Sequence, residues 1–308
     1  MSTIIDRLKH KYKTGSVLIK LLFINIGVFI ALKVIDVVFT LFRITTFNLI
    51  TLLSVPSNLD TTYQPNLLYQ LWTPFTYMFV HAGVWHILFN MLWLYWFGRM
   101  FLQYFTGRTL GSLYVLGGLA GAALFVLTFN TIPFYVDMSF CEVRKEHISI
   151  ILKGASASVM AIVMGVAFYR PDVKLNFFFI GQIKVIYIAI AAFVIDILFL
   201  TGDNAGGRVA HISGALFGYL FAVQYRKGKD ITAWIGRIID FFVNLFKLRP
   251  KKSKMKVEYM RREADWEYNK RKNDEQAEID AILDKLKQSG YNGLSAEEKR
   301  KLFDASKK

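Results

Sequence analysis

Six apolar segments, each bounded by charged residues, glycine or proline, dominate residues 16–225. They cover residues 17–41, 81–102, 110–129, 154–169, 183–200 and 209–225. A helix needs about 20 residues to cross a bilayer, so the pattern predicts six transmembrane helices. The fourth segment is the shortest, and at about 1.5 Å per residue its helix would reach only about 24 Å across a core of about 30 Å. One of its ends is therefore expected to lie below the membrane surface.

Charged residues are rare within these segments. Lys33 and Asp36 lie three residues apart on one face of the first segment, so we expect them to neutralise each other. Asp196 in the fifth segment is the only other acidic residue in the six. A transporter or channel would need charged residues staggered across the membrane or a repeat with broken helices, and the sequence shows neither.

Composition and charge narrow the class of protein further. Of the 308 residues, 54% are hydrophobic and 20% are charged, and the charges are concentrated in 249–308. This distribution excludes a soluble globular enzyme, and the single cysteine, Cys141, excludes a disulfide scaffold. The net charge of +15 is better explained by lysines beside a membrane surface than by nucleic-acid binding. We expect an all-α, polytopic membrane protein, a six-transmembrane-helix bundle with a helical cytoplasmic tail, which contacts the lipid bilayer and no nucleic acid.

The distribution of Lys and Arg predicts the orientation of the chain. Residues 1–15 and the connections after the second and fourth segments are basic, whereas the opposite connections are poorer in Lys and Arg, with 130–153 as the weakest case. Because cytoplasmic loops carry an excess of these residues, we expect both termini in the cytoplasm. The protein would be a multi-pass protein of the inner or plasma membrane of the cell. The first segment is predicted to be an uncleaved signal anchor.

The region after the sixth segment is predicted to form an interfacial helix and a soluble tail. Residues 229–248 are typical of an amphipathic helix on the inner membrane face, and the basic run at 247–256 should hold the tail against anionic lipids. Ser295 and Glu298 form a capping box, and an apolar stripe precedes it at Ile279, Ile282, Leu283 and Leu286. This pattern fits a small solvated helical hairpin or a docking module. The expected organisation is a basic N-terminus at 1–15, a membrane core at 16–225, an interfacial helix at 229–248 and a charged tail at 249–308.

Three clusters of polar residues open the second, fourth and sixth segments. With both termini inside, these segments all begin on the outer side, so the clusters fall at one depth near the outer face. Polar side chains are costly inside a membrane and are candidates for function. The clusters contain His81, His86 and Asn90, then Gly154, Ser156 and Ser158, then His211, Gly214 and Gly218.

Helical geometry sorts these residues. His86 and Asn90 share one face, whereas His81 is expected about 140° away from His86, which argues against a metal site built from both histidines. His211 lies on one face with the two glycines of its cluster. Such a strip of small residues lets another helix approach closely, so we expect His211 to lie near a serine.

A serine held against a histidine is the minimum arrangement for nucleophilic catalysis, because the imidazole takes the hydroxyl proton and returns it to the leaving amine. Hydrogen-bond donors near the serine would stabilise the oxyanion. The alternative is that these groups only form hydrogen bonds between helices. Ser156 and Ser158 point about 200° apart, so only one can face His211, and the small residues beside Ser158 favour that serine.

The motifs carry a family resemblance. His81-xxxx-His86-xxx-Asn90, Gly154-x-Ser156 and Ala210-His211-xx-Gly214-xxx-Gly218 resemble, in this order, the three signatures of the rhomboid intramembrane serine proteases. The resemblance covers about residues 16–225. It implies a serine endopeptidase that cleaves single-pass transmembrane protein substrates near the outer membrane face.

The resemblance also implies a role for each motif residue. Ser156 would be the nucleophile and His211 its base, in a dyad that has no aspartate. His86 and Asn90 would help to form the oxyanion hole together with Ser156. The motif thus favours Ser156 over Ser158. No metal and no cofactor would be required, and structural support would come from His81, Gly154, Gly214 and Gly218.

Three positions depart from the family pattern. Ala157 replaces a glycine after the serine, Thr73 replaces an arginine, and Met160 replaces an aromatic residue that packs on the histidine. Methionine can also pack against an imidazole. A catalytically inactive rhomboid-fold protein that binds transmembrane clients is the alternative, although such relatives typically lack the serine or the histidine that this chain keeps.

Overall fold

The computed structural model describes residues 4–44, 48–59, 65–138, 140–141, 146–147, 150–177, 181–246 and 262–306. The chain forms two compact units, Met1–Lys247 and Leu248–Lys308, which we call the membrane unit and the tail unit. The described residues are mostly helical, as predicted. The basic run predicted to bind lipid at 247–256 lies outside the described residues.

The elements of the membrane unit follow in chain order. The helices are α1 (Ile4–Thr14), α2 (Val17–Leu41), α3 (Leu49–Leu53), α4 (Thr73–Thr76), α5 (Val84–Phe101), α6 (Gly107–Thr131), α7 (Pro133–Met138), α8 (Ser156–Tyr169), α9 (Val185–Leu198), α10 (Ala205–Arg226) and α11 (Ala233–Phe246). Short 3₁₀ turns occupy Leu67–Tyr69 and Tyr77–Phe79. Three antiparallel two-stranded ribbons join β1 (Val55–Pro56) to β4 (Ile151–Leu152), β2 (Phe140–Cys141) to β3 (Glu146–His147), and β5 (Lys174–Phe177) to β6 (Gly181–Lys184).

Each of the six apolar segments contains one helix, namely α2, α5, α6, α8, α9 or α10. By length and composition, two of the described helices, α2 and α6, can cross a membrane. A third span results if α5 is joined to Thr73–Phe79, from which it is bent by 92°. α8 and α9 have 14 residues each and are shorter apolar helices. The count of six spans therefore stays a prediction.

α8 is buried on all sides, since every residue from Ala157 to Ala167 is buried. A helix that is hydrophobic all round belongs in the centre of its fold. A Cβ added at Gly214 of α10 would overlap the carbonyl oxygen of Ala157, and one at Gly218 would overlap that of Ala161. The two helices therefore touch through their backbones, which only small residues permit.

Two ion pairs lie at the periphery of the membrane unit. Lys33 Nζ and Asp36 Oδ2 of α2 are 3.4 Å apart, which confirms the predicted pairing. Arg108 of α6 and Asp240 of α11 approach to 2.9 Å. Gly236 of α11 lies beside the same arginine, because a Cβ added there would stand 2.7 Å from Arg108 Nε. α11 therefore rests on the beginning of α6.

The tail unit contains α12 (Arg262–Ser289), a 3₁₀ turn (Tyr291–Gly293) and α13 (Ala296–Ala305). The predicted capping box is present: the Ser295 hydroxyl accepts from Glu298 N, and the Glu298 carboxylate accepts from Ser295 N. Lys285 Nζ donates to Glu298 at 2.8 Å, and Lys301 Nζ donates to Glu278 at 2.8 Å. The hydrogen bond from Lys285 and that from the Ser295 backbone lower the pKa of Glu298 to about 2.

Candidate active site

A cavity of about 770 Å³ lies where α5, α8, α9 and α10 converge. Its walls contain most of the polar side chains of the three clusters that open the second, fourth and sixth apolar segments. The residues that line it include His86, Asn90, Ser156, Met160, Asp196 and His211, and the polar side chains of Lys153, Asp203 and Asn204 also line it. Four separate helices therefore contribute to one concave site.

Ser156 is placed at the first turn of α8 by the glycine before it. Gly154 has φ +126°, a conformation that disfavours any residue with a Cβ, and its N–H donates to Tyr77 O at 3.0 Å. A Cβ at Gly154 would lie 2.8 Å from His86 Nε2 and 3.7 Å from Ser156 Oγ. Glycine at this position thus allows both the turn and the close approach of the imidazole.

Ser158 lies outside the cavity lining. Its side chain is fully buried, and a Cβ added at Gly118 of α6 would stand 2.7 Å from Ser158 Oγ. The helical-wheel expectation that Ser158 faces His211 is wrong: Ala161, one of the small residues beside Ser158, does meet Gly218 of α10, but the Ser158 hydroxyl faces Gly118 of α6. Of the two serines, Ser156 is the one that shares the cavity with His211.

His211 contacts a carboxylate on the neighbouring helix. Its Nδ1 lies 3.1 Å from Asp196 Oδ1 and 3.2 Å from Oδ2, and Arg208 donates to the same Oδ1 at 3.3 Å. With Nδ1–H donating to Asp196, the lone pair of Nε2 is free to accept a proton. Ser156 Oγ and His211 are not hydrogen-bonded to each other here, as is common in active sites before substrate binds.

His86 presents a donor to the same cavity. Its Nδ1 accepts from Ala82 N at 3.4 Å, so the neutral ring carries its proton on Nε2, the atom beside Gly154. Asn90 donates one amide proton to His86 O at 3.0 Å, and its second proton is available to a ligand. Both side chains line the cavity that contains Ser156.

His81 and His86 lie closer together than the helical wheel predicts. Their ring centroids are 5.2 Å apart in an edge-to-face arrangement. The expectation that they lie about 140° apart is wrong, because α5 begins only at Val84, so His81 precedes the helix and its periodicity does not apply. Within the described part of the chain, no group of three or more His, Cys, Asp or Glu side chains is placed to hold a metal.

The departures from the family pattern have local compensations. Ala157 fits between α6 and α10 because its neighbour on α6 is Gly121, where an added Cβ would stand only 2.6 Å from the Ala157 methyl. Met160 lines the cavity together with His211. Thr73 is buried, and its hydroxyl donates to Gln70 O at 2.8 Å.

Asp196 is an acidic residue of the cavity that the motifs do not contain. The sequence does contain a signal, because an acidic residue in an apolar helix is costly and is a candidate for function. Its partner His211, however, lies on another helix, 15 residues further along the chain. Helical periodicity within α9 therefore cannot predict the contact between the two side chains.

Comparison with known proteins agrees with these motifs. A family model described as Rhomboid domain matches residues 68–228, and a second, described as Family of unknown function (DUF6576), matches residues 263–308. The protein RHOMBOID-like protein 12, mitochondrial, of Arabidopsis thaliana is 27% identical over 161 residues, which cover 52% of this chain and 48% of that protein. The chain thus spans about half the length of this relative. Because the rhomboid domain covers just over half of its residues, the chain belongs to the rhomboid family.

Proposed function

We propose that this protein is an intramembrane serine endopeptidase that hydrolyses peptide bonds of single-pass transmembrane proteins. The observation that carries the proposal is the convergence of Ser156, His211, His86 and Asn90 on one cavity of a rhomboid-family chain. A purely structural set of polar groups would instead form hydrogen bonds with one another across the helix interfaces. Here the groups face a cavity large enough for substrate atoms and water.

The chemistry follows from the protonation states that the contacts impose. Ser156 Oγ attacks the carbonyl carbon of the scissile bond, and its proton moves to His211 Nε2. The tetrahedral intermediate collapses as the C–N bond breaks, and His211 gives the proton to the leaving amine. Water then hydrolyses the acyl ester on Ser156 with His211 again as the base, which restores the serine hydroxyl.

The oxyanion of the intermediate would be stabilised by three donors. The N–H of Ser156 lies at the first turn of α8, where backbone N–H groups have no partner within the helix and the helix dipole favours negative charge. His86 Nε2–H stands beside Gly154, and Asn90 contributes its remaining amide proton. Removal of one such donor typically lowers the rate by about 10²–10³.

The proposed topology places this site near the outer membrane face. Both termini would be cytoplasmic in a multi-pass protein of six spans, in the inner or plasma membrane. α11 would lie at the inner face, since Trp234, Ile238 and Phe241 are exposed on a helix whose charged residues alternate with apolar ones. On this geometry the tail localises or regulates the enzyme and does not take part in the chemistry.

The test compares two serines of one helix in the full-length protein reconstituted in liposomes. Ser156→Ala should abolish both cleavage of a model single-pass substrate and labelling by a fluorophosphonate probe. Ser158→Ala should keep much of both, because its hydroxyl lies outside the cavity. Wild-type protein that binds the substrate without cleaving it would support client binding instead, and the reverse pattern of the two variants would exclude Ser156 as the nucleophile.

A further inference from the structure

We infer that Asp196 is a positioning residue for His211, so that the proposed hydrolysis uses a serine, a histidine and an acid. The inference rests on the proposed function and adds to it a residue of α9 that the motifs do not contain. Both carboxylate oxygens of Asp196 lie within 3.2 Å of His211 Nδ1. The contact joins α9 to α10 directly at the cavity wall.

The contact fixes both the tautomer and the orientation of the imidazole. A carboxylate only accepts hydrogen bonds, so Nδ1 must carry a proton, and Nε2 is then the atom that can accept the proton of Ser156. In this arrangement Asp196 accepts hydrogen bonds and takes no proton from His211. When His211 becomes an imidazolium, the adjacent negative charge stabilises it, as in the serine–histidine–aspartate arrangement of unrelated hydrolases.

The surroundings of Asp196 differ from those of an ordinary ion pair in this chain. Asp36, the other acid of the apolar segments, is exposed and pairs with Lys33 on its own helix. The Asp196 side chain is only 10% exposed and reaches two partners on another helix. Burial of a carboxylate costs free energy unless hydrogen-bond partners satisfy both of its oxygens. The presence of Asp196 in an apolar helix therefore indicates that its contacts have a function.

Arg208 alone does not account for the position of Asp196. The guanidinium reaches only Oδ1, at 3.3 Å, and its Cζ also lies 5.1 Å from the centre of the Phe199 ring. Nδ1 of His211 is closer to that oxygen and also contacts Oδ2. Arg208 therefore contributes a hydrogen bond to one carboxylate oxygen, while His211 contacts both.

The experiment measures kcat and KM of the full-length protein in liposomes with a model single-pass substrate. Asp196→Asn should lower kcat by about 10²–10⁴ and change KM by less than about twofold, because substrate binding does not involve Asp196. Asp196→Glu, which keeps the charge, should recover part of the loss. Asp36→Asn is the matched control and should leave kcat unchanged, and Arg208→Gln should retain most of kcat.

A double variant separates positioning from a structural role. In a His211→Ala background, Asp196→Asn should have no further effect on the residual rate, since residues that act as a unit are not additive. A further fall in that background, or normal kcat for Asp196→Asn, would overturn the inference. If Asp196→Asn does not fold, Arg208→Gln decides: a kcat close to that of the wild type supports the inference, and a loss of about 10²-fold or more would assign the carboxylate to Arg208.

The failure of this inference is distinguishable from failure of the proposed function. A wild-type protein as inactive as Ser156→Ala would defeat the proposed function and this inference with it. A wild-type protein that cleaves and is labelled, together with Asp196→Asn that cleaves equally well, would defeat only the role of Asp196.

Discussion

In the membrane unit α8 and α10 touch through the backbones of glycines and alanines, whereas in the tail unit α12 and α13 meet through exposed ion pairs. The contact between α8 and α10 has no room for an additional methyl group, because a Cβ added at Gly214 would overlap the carbonyl oxygen of Ala157. The second, between Lys285 and Glu298 or Lys301 and Glu278, lies in water and is screened by it. Close packing therefore positions the polar groups of the cavity, and surface charge stabilises a hairpin that tolerates change.

The largest expected effect concerns the polar groups that the close-packed helices position. His86→Ala and Asn90→Ala should each lower the cleavage rate by about 10²–10³, because each removes one oxyanion donor while the backbone N–H of Ser156 remains. His81→Ala should mainly lower thermal stability. The measurement is kcat in liposomes, and a normal rate for the His86→Ala and Asn90→Ala double variant would exclude an oxyanion role.

The next largest effect is expected from a substitution at the contact between α8 and α10. Gly214→Leu should lower the free energy of unfolding by about 3 kcal/mol or more, at the upper end of the range for overpacking, because the obstacle is the backbone of Ala157. Cleavage should be lost as well, since the helices separate. Gly27→Leu is the matched control, because an added Cβ at Gly27 meets no atom within 4 Å. Equal thermal stability of both variants would contradict backbone contact between α8 and α10.

A smaller effect is expected where a surface ion pair supports the membrane unit. Truncation after Arg226 removes α11, and with it the buried Ile235 and the pair of Arg108 with Asp240. Together these contacts are worth about 2 kcal/mol. We expect a lower thermal stability in detergent but unchanged fluorophosphonate labelling. Truncation after Phe246, which keeps α11, is the control, and a folded but unlabelled truncated protein would show that α11 shapes the active site.

The smallest effect concerns the tail unit. The pKa of Glu298 is lowered in the folded state, so its stabilising contribution is fully present above its ordinary pKa of 4.5 and is lost as the pH falls through about 2. Carbon-13 NMR of the Glu298 carboxyl group in the full-length protein should give a midpoint near 2. Lys285→Met should raise that midpoint, because the largest cause of the shift is removed. A midpoint at the ordinary value would contradict the capping box and ion pair.

The sequence predicted those features that depend on neighbours within one helix. The pair of Lys33 with Asp36 and the capping box of Ser295 with Glu298 both involve residues three apart, and both are present. Helical periodicity was wrong for His81, because the helix begins only at Val84 and His81 precedes it. Helical periodicity was right that the two serines point in different directions but wrong about the helix that Ser158 faces, which is α6 and not α10.

By itself the sequence determined the helical segments, the rhomboid motifs and the close approach that the glycines of α10 permit, because hydrophobic periodicity and residue size act locally. The motif favoured Ser156, whereas helical periodicity favoured Ser158, and only the tertiary structure decided which of the two lines the cavity and that Asp196 meets His211. These contacts join helices that are distant in the chain. They depend on where each helix begins and how it rotates against its neighbours, which packing of the whole unit determines.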